Sequence, residues 1–409
     1  MSVVVWISAV SLAVWLWLLL GHGRFWRTDV RLPERREPAA WPRVAVVVPA
    51  RDEADVLPLS LPSLLAQDYP GEASVVLVDD GSTDGTGDLA REMARRPGGL
   101  PLTVASPGEP PDGWTGKLWA VRHGLAVARA GSPEFVLLTD ADIAHAPDSL
   151  RSLVSAAVTG GFDMVSLMAR LRVAGAWERL VVPAFVYFFA QLYPFRRVAR
   201  PECRTAAAAG GCVLLRASAA EEAGIPESIR GAVIDDVALA GAVKGRSPGA
   251  RIWLGLADGV VSVRPYPRLR DLWRMVARSA YAQLRHSPAL LAGTAAGLCL
   301  VYLAPPAALA AGLVAGVPAA AVCGGAAWLL MAASYLPMVR YHRQPPWAAV
   351  LLPFTASLYT LMTVDSAVRH CRGRGAAWKG RTYGRPEPLS VTRSRRAPNG
   401  RTGTSGQDA

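Results

Sequence analysis

The sequence is poor in the residues that mark several common classes of protein. Its five cysteines, Cys203, Cys212, Cys299, Cys323 and Cys371, form no CxxC pair and show no metal-ligand spacing. Neither a disulfide framework nor a structural zinc site is therefore expected. Two of them fall in long apolar runs, where a thiol acts as a small apolar side chain, and a reduced, cytoplasmic compartment fits. No GxxxxGK[ST] and no GxGxxG occurs, which removes P-loop and dinucleotide chemistry. Histidine is scarce, six in 409 residues, and no two stand at ligand spacing. His145, three residues after Asp142, reads better as a cap or surface residue than as a metal ligand. Acidic residues are few, 32 against 44 Lys and Arg, a formal net charge of +12. This excess forms no stripe within a folded domain, and with no nucleic-acid motif beside it a nucleic-acid partner is not expected.

The basic residues gather instead beside apolar segments. Arg24, Arg27, Arg31, Arg35 and Arg36 follow the first, and Arg369, Arg372, Arg374, Lys379 and Arg381 follow the last. That is the distribution of the positive-inside rule and of attraction to anionic headgroups. Hydrophobic residues make up 51% of the chain and mean hydropathy is positive at +0.23, so a membrane is an expected partner. Val3 to Leu20 is close to the ~20 residues that a membrane helix needs. It lacks the basic n-region and small-residue cleavage site of a secretory signal, and the arginines after it place the following chain in the cytoplasm.

The organisation expected is a membrane anchor over 1–23, a basic linker over 24–42, a catalytic domain over 43–267, an amphipathic interfacial helix over 268–286, a membrane region over 287–365, and a basic, partly disordered tail over 366–409. Ala289 to Val339 has room for two spans, broken at Pro305-Pro306 and Pro318. Trp347 to Val364 is a third candidate, weakened by Pro353 and by threonines. Three full distal spans would carry the basic tail outside, against the charge rule. Two spans with a re-entrant or interfacial third segment keep it inside, the arrangement we favour, so two to three C-terminal membrane segments are expected at the plasma membrane.

Between linker and membrane region, short apolar runs alternate with helical stretches. Val44 to Val48, Ser74 to Val78, Phe135 to Thr139 and Met164 to Met168 read as buried strands. Their near-continuous hydrophobicity implies a sheet covered on both faces. Helical candidates lie at Leu61 to Gln67, Gly87 to Arg95, Lys117 to Arg129 and Ser149 to Thr159. The alternation predicts a mostly parallel, Rossmann-like α/β sheet with its ligand crevice at the strand C-termini. Acidic clusters arrive there: Arg51-Asp52-Glu53 after the first strand, Asp79-Asp80-Gly81-Ser82 after the second, and Asp140-Ala141-Asp142 after the third. Asp79-Asp80-Gly81-Ser82 alone could be an ordinary turn that caps the next helix. Two carboxylates at i, i+2 after a buried strand suit a hard divalent cation, which takes one or two carboxylates plus substrate phosphates.

These segments together resemble a known family. VVVPARDE, VVLVDDGSTDGT, GKLWAVRHGL and LLTDADI, then GGCVLLR (Gly210 to Arg216) and IDDVALA (Ile234 to Ala240), are similar in kind and order to the family 2 glycosyltransferases, over roughly Val44 to Leu254. Trp378-Lys379-Gly380-Arg381 and the distal apolar segments look most like the hopene-associated members. The resemblance implies a GT-A fold, a nucleotide-sugar donor (a UDP-sugar above all), a Mg²⁺ or Mn²⁺ ion, and a lipid acceptor, which the narrower likeness makes a hopanoid. It implies a nucleoside pocket at Pro49, Glu53, Asp79 and Asp80, with Asp80 on the uracil. Asp142 would be the principal metal ligand, with Asp140 beside it near the ribose, and Lys117 would face the diphosphate. Asp236 matches the family's general base, and an adjacent Asp235 would cap the helix they open. Of the processive members' QxxRW element only Arg278 is kept, which weighs against a polymerising synthase.

Two apolar stretches bear on an acceptor. Leu180 to Phe195 is too short and broken for a span, and suits an interfacial segment or ordinary core equally. Arg268 to Arg285 sets Leu269, Leu272, Trp273 and Val276 against Arg270, Arg274, Arg278 and Arg285, as an interfacial helix does. The competing readings are a processive polysaccharide synthase, a haloacid-dehalogenase-like phosphatase and an inactive scaffold. The phosphatase reading has Ala144 where its motif carries Thr or Val, and intact acids at each motif position disfavour the scaffold.

Overall fold

The computed structural model describes residues 3–95, 98–246 and 249–373, together with two short strands at Ala377–Trp378 and Arg381–Thr382. Most of the partly disordered tail expected over 366–409, with Arg374 and Lys379 of the basic cluster, lies outside the described residues. Eight strands form one sheet: β1 (Val44–Ala50), β2 (Ala73–Asp79), β3 (Leu102–Ala105), β4 (Phe135–Thr139), β5 (Ile143–His145), β6 (Met164–Leu171), β7 (Cys212–Arg216) and β8 (Ile252–Ser262). Their order is β3-β2-β1-β4-β7-β6-β8-β5. Strands β3, β2, β1 and β4 run parallel, β7 is antiparallel to β4 and β6, and β5 is antiparallel to β8.

All seven residues of β1 are buried. Successive side chains in a strand point to opposite faces, and the core divides accordingly. Val44, Val46 and Val48 pack with Leu57, Leu61 and Leu64 on one face. Ala45 and Val47 pack with Leu118 and Val121 on the other. Helices form at Leu57–Leu65, Thr86–Ala94, Gly116–Ala128 and Ser149–Gly160, each within a few residues of the stretch read from the sequence. The Gly116–Ala128 helix sits so close to the sheet that a Cβ at Gly124 would meet Val47 Cγ1 at 2.5 Å and Val78 Cγ2 at 2.9 Å. That approach seats Lys117, at the helix start, beside the end of β4.

The Leu180 to Phe195 stretch falls in a helix, Ala176–Leu192, whose Val181, Val182, Val186 and Tyr187 are buried. It belongs to the core and joins the sheet domain to the apolar helices. Tyr187 shares a 2.7 Å hydrogen bond with Ser334, and Tyr359 donates to the Val181 carbonyl at 3.1 Å. Four helical segments, Val3–Leu20, Pro288–Val314, Pro318–Tyr341 and Pro346–Cys371, are long and apolar enough to cross a membrane. Pro305 and Pro306 do not end the second, because the chain adopts a π-helical turn over Cys299–Leu303 just before them, a local adjustment of the hydrogen-bond ladder.

The helix before the last segment ends against the sheet domain, and the last segment itself ends against neighbouring helices. Before it, Tyr341 donates to the Ala257 carbonyl at 2.6 Å. Near its end, Asp365 accepts from Trp273 Nε1 at 2.7 Å and Ser366 accepts from the Tyr281 amide at 3.1 Å. Between these points the Val350 carbonyl accepts from Trp328 Nε1 at 3.2 Å, midway along Pro318–Tyr341. The Arg268 to Arg285 stretch forms the helix Leu269–Ala277 and a short turn at Ala280–Gln283. Its apolar side, including Leu272 and Val276, is covered by protein.

Candidate active site

A cavity of about 880 Å³ opens at the C-terminal ends of β1 and β4. Pro49 and Glu53 reach it from β1 and the turn beyond, Asp140 and Asp142 from the turn after β4, and Lys117 from its helix start. Asp235 and Asp236 reach it from the start of the helix Asp235–Arg246. Seven residues spread over nearly two hundred positions are thus gathered on one wall.

Lys117 Nζ lies 2.9 Å from Asp140 and 3.0 Å from Asp235. Burial pulls the ammonium down, but the two carboxylates outweigh it and hold Lys117 above its ordinary value. Burial likewise raises Asp140, against the opposing effect of Lys117. Asp236 takes backbone amides instead: Oδ2 accepts from Gly210 at 2.9 Å and Oδ1 from Val237 at 2.8 Å. Burial first, then the neighbouring Asp235 carboxylate, push it up to about 6. The division of labour expected within this pair is corrected here. Asp236, not Asp235, holds the helix-start amide, because Lys117 draws Asp235 into an ion pair.

Asp142 accepts from Ser262 Oγ at 2.8 Å and from Arg264 Nε at 3.2 Å. Arg264 also bonds Glu53. Although burial lowers it, Asp142 and Glu53 lift the guanidinium above its ordinary range. Ser262, Arg264 and Tyr266 were missed from the sequence. The signal was available, since β8 ends at Ser262 and polar residues at strand ends line such crevices. Gly255, Asp258 and Gly259, however, interrupt the apolar run that would have announced β8. Glu178 fixes this segment from behind: it accepts from the amides of Ala174, Gly175 and Tyr266 at 2.7–2.8 Å. Those bonds overcome burial and hold its carboxyl below the ordinary range.

Asp79 and Asp80 do not line the cavity. Asp79 accepts from the Ser82 amide at 3.0 Å, closing the turn after β2. The Asp80 side chain is buried, with Arg51 3.4 Å from its carboxylate. His145 is buried on β5, 3.0 Å from Thr139 Oγ1, and burial lowers it to about 4, so it stands as a neutral core residue.

The far half of the cavity differs in sign. Arg274 and Arg278 from the Leu269–Ala277 segment, Arg369 from the last apolar helix, and His286 and His370 form its wall with Phe185 and Phe189. His286 and His370 stack at 4.1 Å between ring centroids. Tyr266 stands between the halves, close enough to feel the charges of both Asp142 and Arg278, and burial pushes it up to about 12.

The donors present fit a divalent cation. Asp140 and Asp142 both face the cavity, and each already carries a cationic partner, Lys117 and Arg264. A cation bound there would have to exchange with those partners. Among the described residues no three His, Cys, Asp or Glu side chains are placed to hold a metal ion together, but two carboxylates suffice where substrate phosphates complete the shell.

A family model described as "Glycosyltransferase like family 2" matches residues 42–252, more than half of the chain. The chain belongs to this family. Among curated relatives, the undecaprenyl-phosphate 4-deoxy-4-formamido-L-arabinose transferase of Aeromonas hydrophila is 32% identical over 142 residues, 33% of this chain and 39% of its own length. The enzyme of the same name from Edwardsiella ictaluri is 32% identical over 138 residues, with the same coverage. The chain thus spans less than two fifths of the length of these relatives. Among solved structures, a mannosyltransferase from Pyrobaculum calidifontis in complex with GDP-Man and Mn²⁺ aligns with a TM-score of 0.57. It is 24% identical and covers 90% of this chain and 99% of that one. The mixed α/β sheet and its flanking apolar helices are a GT-A-like glycosyltransferase fold.

Proposed function

We propose that the protein transfers a sugar, with inversion, from a nucleotide-sugar donor to an acceptor lipid at the cytoplasmic face of the plasma membrane. The observation that carries this reading is the cavity itself. It joins the acidic strand ends of a family 2 glycosyltransferase to a wall built from the ends of apolar helices. Pro49 and Glu53 would border the nucleoside, and Lys117 and Arg264 would turn toward the diphosphate. Asp142, with Asp140, would hold Mg²⁺ or Mn²⁺, which would neutralise charge on the leaving diphosphate. Asp236 would take the proton of the acceptor as its oxygen attacks the anomeric carbon. Its value of about 6 leaves it ionised at neutral pH and makes it a stronger base than an ordinary Asp. The donor we favour is a UDP-sugar. A hopanoid acceptor is supported by the resemblance around Trp378 to Arg381. Incubating the purified protein with a panel of nucleotide sugars and a membrane lipid extract, then identifying products by mass spectrometry, tests this reading. A product on a soluble sugar or a long polymer would overturn it.

The same proposal includes a topology in which the sheet domain and the end of the last apolar helix share one side of the membrane. It is supported by the contacts of Tyr341 before that segment and of Asp365 and Ser366 near its end, and by the arginines that follow both outer segments. Reporter fusions after Arg36 and after Arg372 should both report cytoplasm. A periplasmic signal from the second would require three full distal spans.

A further inference from the structure

Two tyrosines line the cavity, Tyr266 and Tyr281, and only one of them spends its hydroxyl on the protein. Tyr281 donates to the His286 carbonyl at 2.8 Å. Among the described residues the Tyr266 hydroxyl has no hydrogen-bond partner, yet it is not sealed off from the space its ring lines. It stands near enough to Asp140 and Asp142 on one side, and to Arg278 on the other, to feel their charges. The backbone beneath it is fixed from two directions. Pro265 and Pro267 flank it, each setting its own φ and restricting the residue before it. The Tyr266 amide also donates to Glu178 Oε1 at 2.7 Å, while Glu178 Oε2 accepts from the amides of Ala174 and Gly175 at 2.7 and 2.8 Å. Glu178 is only 2% exposed. A carboxylate is costly to bury unless it is hydrogen-bonded, and this one gives its bonds to holding the segment that carries Tyr266. The phenol is therefore held in place before any ligand arrives, and no protein group answers it.

We propose that Tyr266 is a specificity-determining residue for the donor, its hydroxyl bonding to a hydroxyl of the transferred sugar. The inference rests on the reading of the protein as a glycosyltransferase and deepens it at one atom. In that reading the leaving diphosphate lies with Asp142 and the metal, and the acceptor enters from the wall that carries Arg278. The part of the reactants that lies between them is the sugar ring. A phenol suits that ring, because it can donate one hydrogen bond and accept another, as a sugar hydroxyl can. A fixed donor also discriminates well, since a sugar that fails to answer it leaves a polar group unpaired in the cavity. The nucleotide gains nothing from Tyr266, which lies beyond the diphosphate.

The test uses the full chain in neutral detergent micelles with Mn²⁺. The probes are UDP-glucose, UDP-galactose, UDP-N-acetylglucosamine and GDP-mannose, each compared with its free nucleotide, UDP or GDP. Calorimetry on the parent protein identifies the sugar nucleotide that binds best. Tyr266→Phe keeps the ring and removes the hydroxyl. It should weaken that sugar nucleotide about fivefold, the worth of one neutral hydrogen bond. The matching free nucleotide should bind the variant as it binds the parent, which shows that the variant is folded. Equal weakening of the sugar nucleotide and the free nucleotide would move Tyr266 to the nucleotide pocket and overturn the proposal. Unchanged binding of both would overturn it too, and would leave the glycosyltransferase reading standing. A parent protein that binds none of these nucleotides would sink that reading, and the inference with it.

Discussion

The two halves of the cavity are built in opposite ways. The acidic half rests on strand ends and helix starts, and each of its cations is already matched by carboxylates: Lys117 by Asp140 and Asp235, Arg264 by Asp142 and Glu53. The basic half is assembled from three helices, Ala176–Leu192, Leu269–Ala277 and Pro346–Cys371, and leaves Arg274 and Arg278 exposed. A site whose charges are satisfied without ligand is preorganised for a diphosphate and metal that exchange with those partners. The contrast predicts that substitutions in the first half alter donor binding and chemistry, and that those in the second alter acceptor recognition alone.

The largest effect should come from breaking the acidic half at Asp142. Asp142→Asn keeps the shape but removes charge facing a dication, whose neutralising effect on a leaving phosphate is worth several kcal/mol. A loss of about a thousandfold in turnover is expected, together with weaker UDP binding in Mn²⁺ and insensitivity of what remains to chelator. Full activity of the parent protein in chelator would remove the metal from this half.

Asp235 and Asp236 sharpen the comparison within the acidic half. Asp236→Asn should lower turnover by about a hundredfold or more, the usual worth of a general base, with UDP binding unchanged. Because burial holds Asp236 at about 6, turnover of the parent should rise with pH through that value, as the basic form appears. The sign for stability is the reverse. A carboxyl raised from 3.8 to about 6 favours the protonated fold, so its stabilising contribution is present at low pH and is lost as pH rises through about 6. Asp236→Asn should flatten that part of the stability profile in chemical denaturation. Asp235→Asn should cost less turnover and loosen Lys117. If the two showed exchanged effects, the base would be Asp235.

How much of this was legible depended on whether a feature is local in sequence. Strands β1, β2, β4 and β6 are runs of β-branched and aliphatic residues with turn residues after them, so period and punctuation found them. Strands β3 and β5 are four and three residues long, too short for a pattern to emerge, and the CVLLR of β7 was read as part of a motif rather than as a strand. Glu53, Asp140, Asp142, Asp235 and Asp236 lie in compact motifs and were found, whereas Asp271, which also lines the cavity, stands outside them and was not. Neither was Arg264, because its partners Glu53 and Asp142 stand 211 and 122 positions away. Burial of the Ala176–Leu192 helix was equally undecided, because an apolar face says that something covers it and not whether lipid or protein does. Here Ser334 and Tyr359 show that protein does. The helix Leu269–Ala277 gave its basic face away in sequence, but not that this face would look into the cavity.

The smallest effect should come from the joint that holds the basic half together. Trp273 Nε1 and Arg369 Nε both donate to Asp365 Oδ2 at 2.7 Å, tying the helix that carries Arg274 and Arg278 to the last apolar segment. The bond touches neither donor nor reacting atoms, so it can act only by placing the cavity wall. Trp273→Phe keeps most of the packing and removes the donor, which should cost about 1 kcal/mol of stability. With the wall less firmly held, the KM for lipid acceptor should rise a few-fold while kcat and UDP affinity stay unchanged. Asp365→Leu should do more, since it also leaves Arg369 without its carboxylate. Asp365→Asn should fall between the two, because its amide oxygen can still accept from Trp273. Melting curves and acceptor titrations of the three variants would place them in that order. A fall in UDP affinity in any of them would mean that the two halves of the cavity are mechanically one.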